Sequence, residues 1–534
     1  MTQSQILINH MSFNLPTGSL LFDELTLTFQ CHKTGLVGRN GIGKSMLIKL
    51  ILSELQAHRG AIQVDGCLAY VPQQLTVSTD ISVAALLGCE EKIMALHHIL
   101  QGSIDQNDYI ILNDDWDIKE RITQQLTAFG LGSISYQRQL KSLSGGEITR
   151  LLLAKAFFSQ ADFIILDEPT NHLDQSARLQ LFQAVKQWQK GMIIASHDRS
   201  LLNLMDEIVE LSTLGANSYG GNYDAYTEQK KLETLAKEQQ LGDARKLLQH
   251  AKNSIQSSHE KHEQRQTYGR ELRRSGRIDK MGADVKKGVS ERTQSKLLIK
   301  EERLLDHAET KLQAIKDQIE IHEDIHIALP ATYVPKGKII LDIEDLCFSY
   351  SNDHNKLIEH FNLKIQGAER IALLGDNGSG KTTLVKLILA ELSPQVGTIQ
   401  IGTQYLSYLD QNTSLLKANL SVLDNFLGIN PDANENDAYR CLAQFLFRNA
   451  SALKLVKDLS GGEKLRALLA CVLLSKHPPQ LLILDEPTNH LDLHSIHSIE
   501  TALNHYQGAM IAISHDQRFL ENIGVERVIS APFR

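Results

Sequence analysis

The 534-residue chain has no apolar run approaching the roughly 20 residues needed to span a bilayer. It also has little cysteine. Cys31, Cys67, Cys89, Cys347, Cys441 and Cys471 are scattered, with no CxxC pair among them. That pattern excludes a disulfide framework and a sulfur-ligated metal site, and reads as reduced thiols. Aromatic residues make up only 6% of the chain, with two tryptophans. The opening Thr2-Gln3-Ser4-Gln5 is polar and lacks the basic-then-apolar order of a secretory leader. A cytoplasmic location is therefore expected. A net charge of −8 gives no general affinity for nucleic acid, so any such affinity has to be local. The remaining composition is ordinary for a globular chain, and the length predicts two to four domains.

What the chain does have is a repeat. Leu166-Asp167-Glu168-Pro169-Thr170-Asn171-His172-Leu173-Asp174 recurs letter for letter from Leu484 to Asp492, at an offset of 318. Each copy follows a short apolar run, Phe163-Ile164-Ile165 or Leu481-Leu482-Ile483, which reads as a buried strand of a parallel sheet. An acid at the end of such a strand, Asp167 or Asp485, can hold Mg²⁺. The next one, Glu168 or Glu486, can orient an attacking water.

Upstream of each copy stands a strand–GxxxxGK[ST]–helix pattern, Gly38-Arg39-Asn40-Gly41-Ile42-Gly43-Lys44-Ser45 and Gly375-Asp376-Asn377-Gly378-Ser379-Gly380-Lys381-Thr382. Glycines there let backbone N–H groups face phosphate oxygens. The lysines neutralise the β- and γ-phosphates, and Ser45 and Thr382 are placed to ligate Mg²⁺. Met46 and Thr383 follow in the same first helical turn. Between loop and acid strand lie Leu143-Ser144-Gly145-Gly146-Glu147 and Leu459-Ser460-Gly461-Gly462-Glu463, each a Ser-Gly-Gly step opening a helix and thus a second anion site. In the plainer reading the serine is an N-cap and the glycines a turn. After each acid strand come Ser196-His197-Asp198 and Ser514-His515-Asp516, whose histidines can reach a γ-phosphate.

In this order the motifs resemble the ATP-binding cassette ATPases. The resemblance implies an α/β fold with two P-loop cassette domains, ATP as substrate and Mg²⁺ as cofactor. Gln73 and Gln411 occupy the glutamine-loop slot, which touches the metal, and Phe13 and Tyr350 are the candidate adenine platforms. By the same analogy the cassettes close head to tail within one chain, so that Lys44 shares a nucleotide with Ser460, and Lys381 with Ser144. The protein is then expected to be a monomer carrying an intramolecular cassette dimer.

Domains are expected at 1–226, 227–335 and 336–534. Gln73 to Ser144 spans 71 positions and Gln411 to Ser460 spans 49, which gives the first half 22 extra residues, placed near 95–120 as a short, acidic insertion. Tyr219-Gly220-Gly221-Asn222-Tyr223-Asp224-Ala225-Tyr226 resembles the tyrosine turn of the ABC-F subfamily. Beyond it, Leu241, Leu248 and Ile255, then Leu298, Leu305, Leu312 and Ile319, stand seven apart, and alanines fall between them. Two such stripes predict an antiparallel coiled-coil hairpin with stems of ~45–50 Å. Its tip, 261–300, holds 12 basic and 5 acidic residues, a local +7 in a chain of −8. Gly269, Gly276, Gly282 and Gly288 are expected to interrupt regular helix there. A basic tip favours a phosphate-rich partner, although charge runs are often only solvated faces. The ABC-F resemblance implies the ribosome: large-subunit rRNA and tRNA near the exit and peptidyl sites, in a translation or antibiotic-protection role. Two other readings stay open, the ATP-binding subunit of a membrane transporter and a DNA-associated cassette ATPase. The basic linker and the tyrosine turn argue against the first, and the missing zinc cysteines against the second.

Overall fold

The computed structural model describes residues 4–73, 80–159, 161–171, 173–274, 302–316, 329, 332–350, 357–411, 413–489 and 491–533. The chain divides into two compact units. One combines Met1–Tyr223 with Glu323–Arg534, and the other is Asp224–His322.

The first unit contains the two sequence halves, each built on the same plan. In the N-terminal half a six-stranded sheet runs in the order Leu68–Val71, Phe163–Asp167, Gly191–Ala195, Lys33–Gly38, Glu207–Ser212, Gly215–Gly220. The first five strands are mutually parallel and the last turns back antiparallel. The C-terminal half repeats the order with Leu406–Leu409, Leu481–Asp485, Ala509–Ile513, Arg370–Leu374 and Arg527–Ser530. Every residue of Phe163–Asp167 and Gly191–Ala195 is buried, as expected for central parallel strands covered on both faces. A three-stranded antiparallel sheet accompanies each: Leu20–Phe29, Ile6–Asn14 and Arg59–Val64 in one half, Ile358–Gln366, Ile339–Phe348 and Val396–Ile401 in the other. In such sheets the strand order places the acid, the histidine and the phosphate loop at the carboxyl ends of three successive strands, where open α/β sheets bind ligands.

Between Gln73 and Ser144 the first half inserts paired helices, Glu90–Leu100 and Gln106–Leu112, before Ile118–Ala128. The acids seen in the sequence here are partly neutralised internally. Asp115 accepts from Lys92 at 2.8 Å and from Arg121 at 2.6 Å, and Asp108 from Ser103 at 2.9 Å.

In the second unit one helix runs unbroken over Tyr223–Arg274, 52 residues and thus ~78 Å. Another helical stretch covers 302–316. The expected stripes are the positions that lose exposure. Ala244, Ala251 and Ala308 are buried, and Leu241, Leu248, Ile255, Leu305, Leu312 and Ile315 half-buried. Leu247, His250, Ala251 and Ser254 face Arg303, Leu304 and His307 across one cleft, so the two helices lie side by side as a hairpin. Two expectations are corrected. The first stem is longer than ~45–50 Å, and Gly269 does not break it. A single helical glycine costs only ~1 kcal/mol against alanine, which its neighbours offset. Positions 275–301, most of the basic tip with Leu298, and Ile319 of the second stripe lie outside the described residues.

Candidate active sites of a duplicated cassette

Each phosphate loop folds as it does because glycine stands where the chain must turn left-handed. Gly43 and Gly380 cap the helices Lys44–Ile51 and Lys381–Ile388 at φ 106° and 97°. A side chain at Gly43 would meet the Phe22 ring at 2.7 Å. Lys44 Nζ donates to Gly38 O at 2.7 Å, and Lys381 Nζ to Gly375 O and, at 3.0 Å, to Asp376 O. The loops thus hold their lysines folded back over the cradle. In the C-terminal loop Ser379 Oγ is buried with no partner, a polar atom waiting in an anion cradle.

The N-terminal site is a cleft of about 350 Å³. It is lined by Asn40, Gly41, Gly43, Lys44, Ser45, Met46 and Gln73 on one side and by Asp167, Glu168, Asn171 and His197 on the other. Asp167 is 3% exposed, and burial pushes its carboxyl above the usual range, against an opposing hydrogen bond from Ser45 and the charge of Lys44. Burial likewise pushes Glu168 up to about 8 and His197 down to about 3. His197 is therefore neutral. Its Nε2 accepts from Lys44 Nζ at 2.9 Å, so its 3.4 Å approach to Glu168 Oε1 is not an ion pair. Glu168 Oε1 and His197 Nδ1 are both buried and unpartnered.

The C-terminal site repeats this. Burial pushes Glu486 up to about 7 and His515 down to about 4, with 3.3 Å between His515 Nε2 and Glu486 Oε1. Asp485, also raised by burial, accepts from the Tyr408 hydroxyl at 3.0 Å. Asn377, Gly378, Thr382 and Gln411 are exposed. Glu168 and Glu486 share φ 49°, a left-handed conformation costly for glutamate. Each backbone N–H is held by the neighbouring strand, Glu168 to Ala195 O and Glu486 to Ile513 O at 2.8 Å, so the strain is fixed in place.

Ser144 and Ser460 open the helices Gly145–Phe158 and Gly461–Leu473 through complete capping boxes with Glu147 and Glu463. Gly145 and Gly461 are exposed, while Gly462 is buried against Ser495. None of Ser460, Gly461 and Gly462 lines the described N-terminal cleft. What reaches it from the other half is Asp492, whose Oδ2 accepts the Asn40 N–H at 3.0 Å. Sequence reading missed that role, although Asp174 and Asp492 close the repeated nine-residue segment. It also missed Tyr70 and Tyr408, which recur just before the glutamine loops. The aromatic expectation divides. Tyr350 is 67% exposed and its hydroxyl bonds Thr383 Oγ1 at 3.0 Å, so it stands beside the phosphate loop. Phe13 is corrected. It is 5% exposed, inside the cluster with Met11, Phe22 and Leu47, and has no open ring face for a base.

A family model described as "ABC transporter" matches residues 22–171 and 358–489. The chain belongs to the ATP-binding cassette ATPases, in their ABC-F branch. It is an ATPase. ATP-binding protein Uup of Haemophilus influenzae is 32% identical, over 92% of this chain and 73% of its own length. Putative ATP-binding protein YdiF of Bacillus subtilis is 30% identical, over 97% and 78%. The fold is also that of the archaeal ribosome recycling factor aABCE1, solved in complex with the ribosomal stalk protein aP1. It matches with TM-score 0.54 and 17% identity over 98% of this chain and 87% of that one. No helix among the described residues is long and apolar enough to cross a membrane.

Proposed function

We propose that this ABC-F ATPase hydrolyses ATP at two Mg²⁺-dependent sites shared between its halves, and uses the linker tip to act on the ribosome near tRNA. The donor set fits Mg²⁺: a hydroxyl, one buried carboxylate and an amide oxygen (Ser45, Asp167 and Gln73, or Thr382, Asp485 and Gln411), all hard oxygens. Among the described residues no cluster of three or more His, Cys, Asp or Glu could hold a metal, which suits an ion that takes one protein carboxylate and leaves the rest to phosphate. When bound, Mg²⁺ neutralises charge on the β- and γ-phosphate oxygens.

The chain's own residues supply the rest. Lys44 and Lys381 leave their backbone carbonyls for the phosphates. Glu168 and Glu486 orient water, and the buried, unpartnered Glu168 Oε1 belongs to a residue lining the N-terminal cleft. Neutral His197 and His515 hold the γ-phosphate by a hydrogen bond. The Asp492–Asn40 contact supports head-to-tail sharing, in which Ser460 and Ser144 each close on the opposite lysine's nucleotide.

The ribosomal reading is carried by one observation: the segment of +7 charge that joins the halves at 261–300, in a chain of −8. The same proposal places the protein in the cytoplasm as a monomer whose two cassettes pair within the chain. Whether the ribosomal task is housekeeping or antibiotic protection is decided by tip residues against RNA. The test is to replace Arg270, Arg273, Arg274 and Arg277 together by Gln. Each lost phosphate contact should reduce the salt slope of ribosome binding by about 0.7–0.9, with basal ATPase retained. An unchanged slope would leave the charges as a solvated face.

A further inference from the structure

With Phe13 buried, the base of a nucleotide on Lys44 must lie against other residues, and the strand registers show which. Ser12 pairs with Arg59 as Cys347 pairs with Val396, and Met11 pairs with Leu25 as Leu346 pairs with Phe361. The first strands of the two halves therefore match at an offset of 335. Phe13 then corresponds to the buried Phe348, and Tyr350 to Leu15. The phosphate loops stand at an offset of 337, which matches Thr383 to Met46.

The two pairs differ in kind. Tyr350 is held at both ends, its ring edge-on to Phe348 at 5.1 Å between centroids and its hydroxyl on Thr383 Oγ1 at 3.0 Å, while 67% of the residue stays exposed. A ring fixed in this way beside a phosphate loop is a stacking face for a base. Leu15 and Met46 are instead both half-buried against the cluster of Phe13, Phe22 and Leu47, and Met46 lines the Lys44 cleft. The turn after Leu15 is closed by Gly18 N–H to Leu15 O and Leu15 N–H to Ser19 O, both at 2.8 Å, and residues 16–20 include no aromatic. His58 is packed on Phe13 with 5.5 Å between ring centroids, and its Nδ1 accepts the Asn14 N–H at 3.2 Å. No Phe, Tyr or Trp is among the residues that line the described cleft. An aliphatic shelf offers a base dispersion contact but no ring face.

We infer that Leu15 and Met46 form an aliphatic shelf that makes the Lys44 site indifferent to the base, so that it takes purine and pyrimidine nucleoside triphosphates alike, whereas Tyr350 and Thr383 make the base part of recognition at the Lys381 site. This rests on the two-site reading above. Leu15 and Met46 thereby set the substrate class of their site: the triphosphate and Mg²⁺ are read, and the base is not.

The test displaces a ribose-labelled fluorescent ATP from the full chain with ATP, CTP or 1-deoxyribose 5-triphosphate, which has no base, each in large excess over protein so that turnover does not deplete it. Wild type should bind two labelled nucleotides, and Lys44→Ala and Lys381→Ala one each. A stoichiometry other than one in either variant would mean that the two-site reading itself has failed, and the inference falls with it. In Lys381→Ala, where the Lys44 site remains, the three competitors should agree within about threefold, the residue of dispersion contact. In Lys44→Ala, where the Lys381 site remains, ATP should bind about tenfold or more tightly than the base-free triphosphate, the ordinary worth of one stacked base. Adding Tyr350→Leu to Lys44→Ala should reduce that preference to about threefold, and adding Leu15→Tyr with Met46→Thr to Lys381→Ala should create one. The reciprocal change at Tyr350 keeps the test decisive even if the half-buried Leu15 does not tolerate tyrosine. With one nucleotide bound in each lysine variant, an equal or stronger dependence on the base at the Lys44 site, or a preference at Lys381 that survives Tyr350→Leu, would overturn the shelf alone.

Discussion

Replacing Glu168 by Gln in nucleotide-free protein, with metal chelated, should stabilise the fold, and by more as the pH rises. The Glu168 side chain is 11% exposed. Burial is the main force raising its carboxyl from 4.5 to about 8. Repulsion from Asp167 and Asp198 adds to this, while Lys44 and the His197 backbone N–H oppose it. Below pH 4.5 both folded and unfolded chains hold the proton, so the group contributes no slope. Between 4.5 and 8 the folded chain keeps a proton that the unfolded chain has lost, so stability falls as pH rises; above 8 the loss is complete. At 1.36 kcal/mol per unit the ceiling is roughly 4–5 kcal/mol. Local relaxation around an ionised carboxylate brings the expected figure to about 2–3 kcal/mol. Glutamine keeps the shape and cannot ionise, so the penalty disappears. At a few degrees per kcal/mol, the first thermal transition of the variant should lie about 5–10 °C above wild type at pH 8.5 and close to it at pH 5. His197, held down near 3, titrates in both proteins and cancels in the difference. Glu486→Gln should give a smaller gain that levels off near pH 7. A variant no more stable at pH 8.5 than at pH 5 would mean that Glu168 is solvated and ionised, and would refute the buried-carboxylate reasoning.

Ser144→Arg removes an N-cap worth about 1 kcal/mol and places a bulky cation at the signature turn. The first melting transition should fall by only a few degrees while ATPase turnover drops sharply, and wild-type turnover in a folded variant would argue against head-to-tail closure. Asp492→Ala and Asp174→Ala each remove a helix cap, to Ser495 N–H at 2.8 Å and Ala177 N–H at 2.9 Å. Asp492→Ala also loses the bond to Asn40, a charged hydrogen bond of about 1.5–3 kcal/mol. Nucleotide affinity at the Lys44 site should therefore weaken about tenfold more than Asp174→Ala weakens it at Lys381, as read by titration of a fluorescent ATP analogue.

The engine was legible because its chemistry is local in sequence. Phosphate loops, acid strands and histidine switches each occupy a few consecutive residues, and duplication made every motif check its partner. Capping boxes at Ser144 and Ser460 were legible for the same reason. Contacts that depend on how the halves meet were not. The reach of Asp492 to Asn40 crosses 452 positions and that of Arg199 to Glu500 crosses 301. Phe13 was misplaced because its spacing from the loop matches that of Tyr350. Spacing cannot show which face of an irregular strand turns inward, and the strand Ile6–Asn14 shifts register between Met11 and Phe13. The length of the linker helix was underestimated because glycine was read as a breaker, whereas in a 52-residue helix one glycine is a small local cost.

The most direct test of a two-site ATPase that works on ribosomes uses Glu168→Gln with Glu486→Gln in one chain. The variant should bind ATP, lose nearly all turnover and remain in the ATP-closed state. Cell extract carrying it is sedimented through a sucrose gradient with and without added ATP, and the variant is located against ribosomal, membrane and chromatin markers. It should move with ribosomes when ATP is present and leave them when ATP is withheld. Near-normal turnover by this variant, or sedimentation with membranes or chromatin and never with ribosomes, would contradict the proposal.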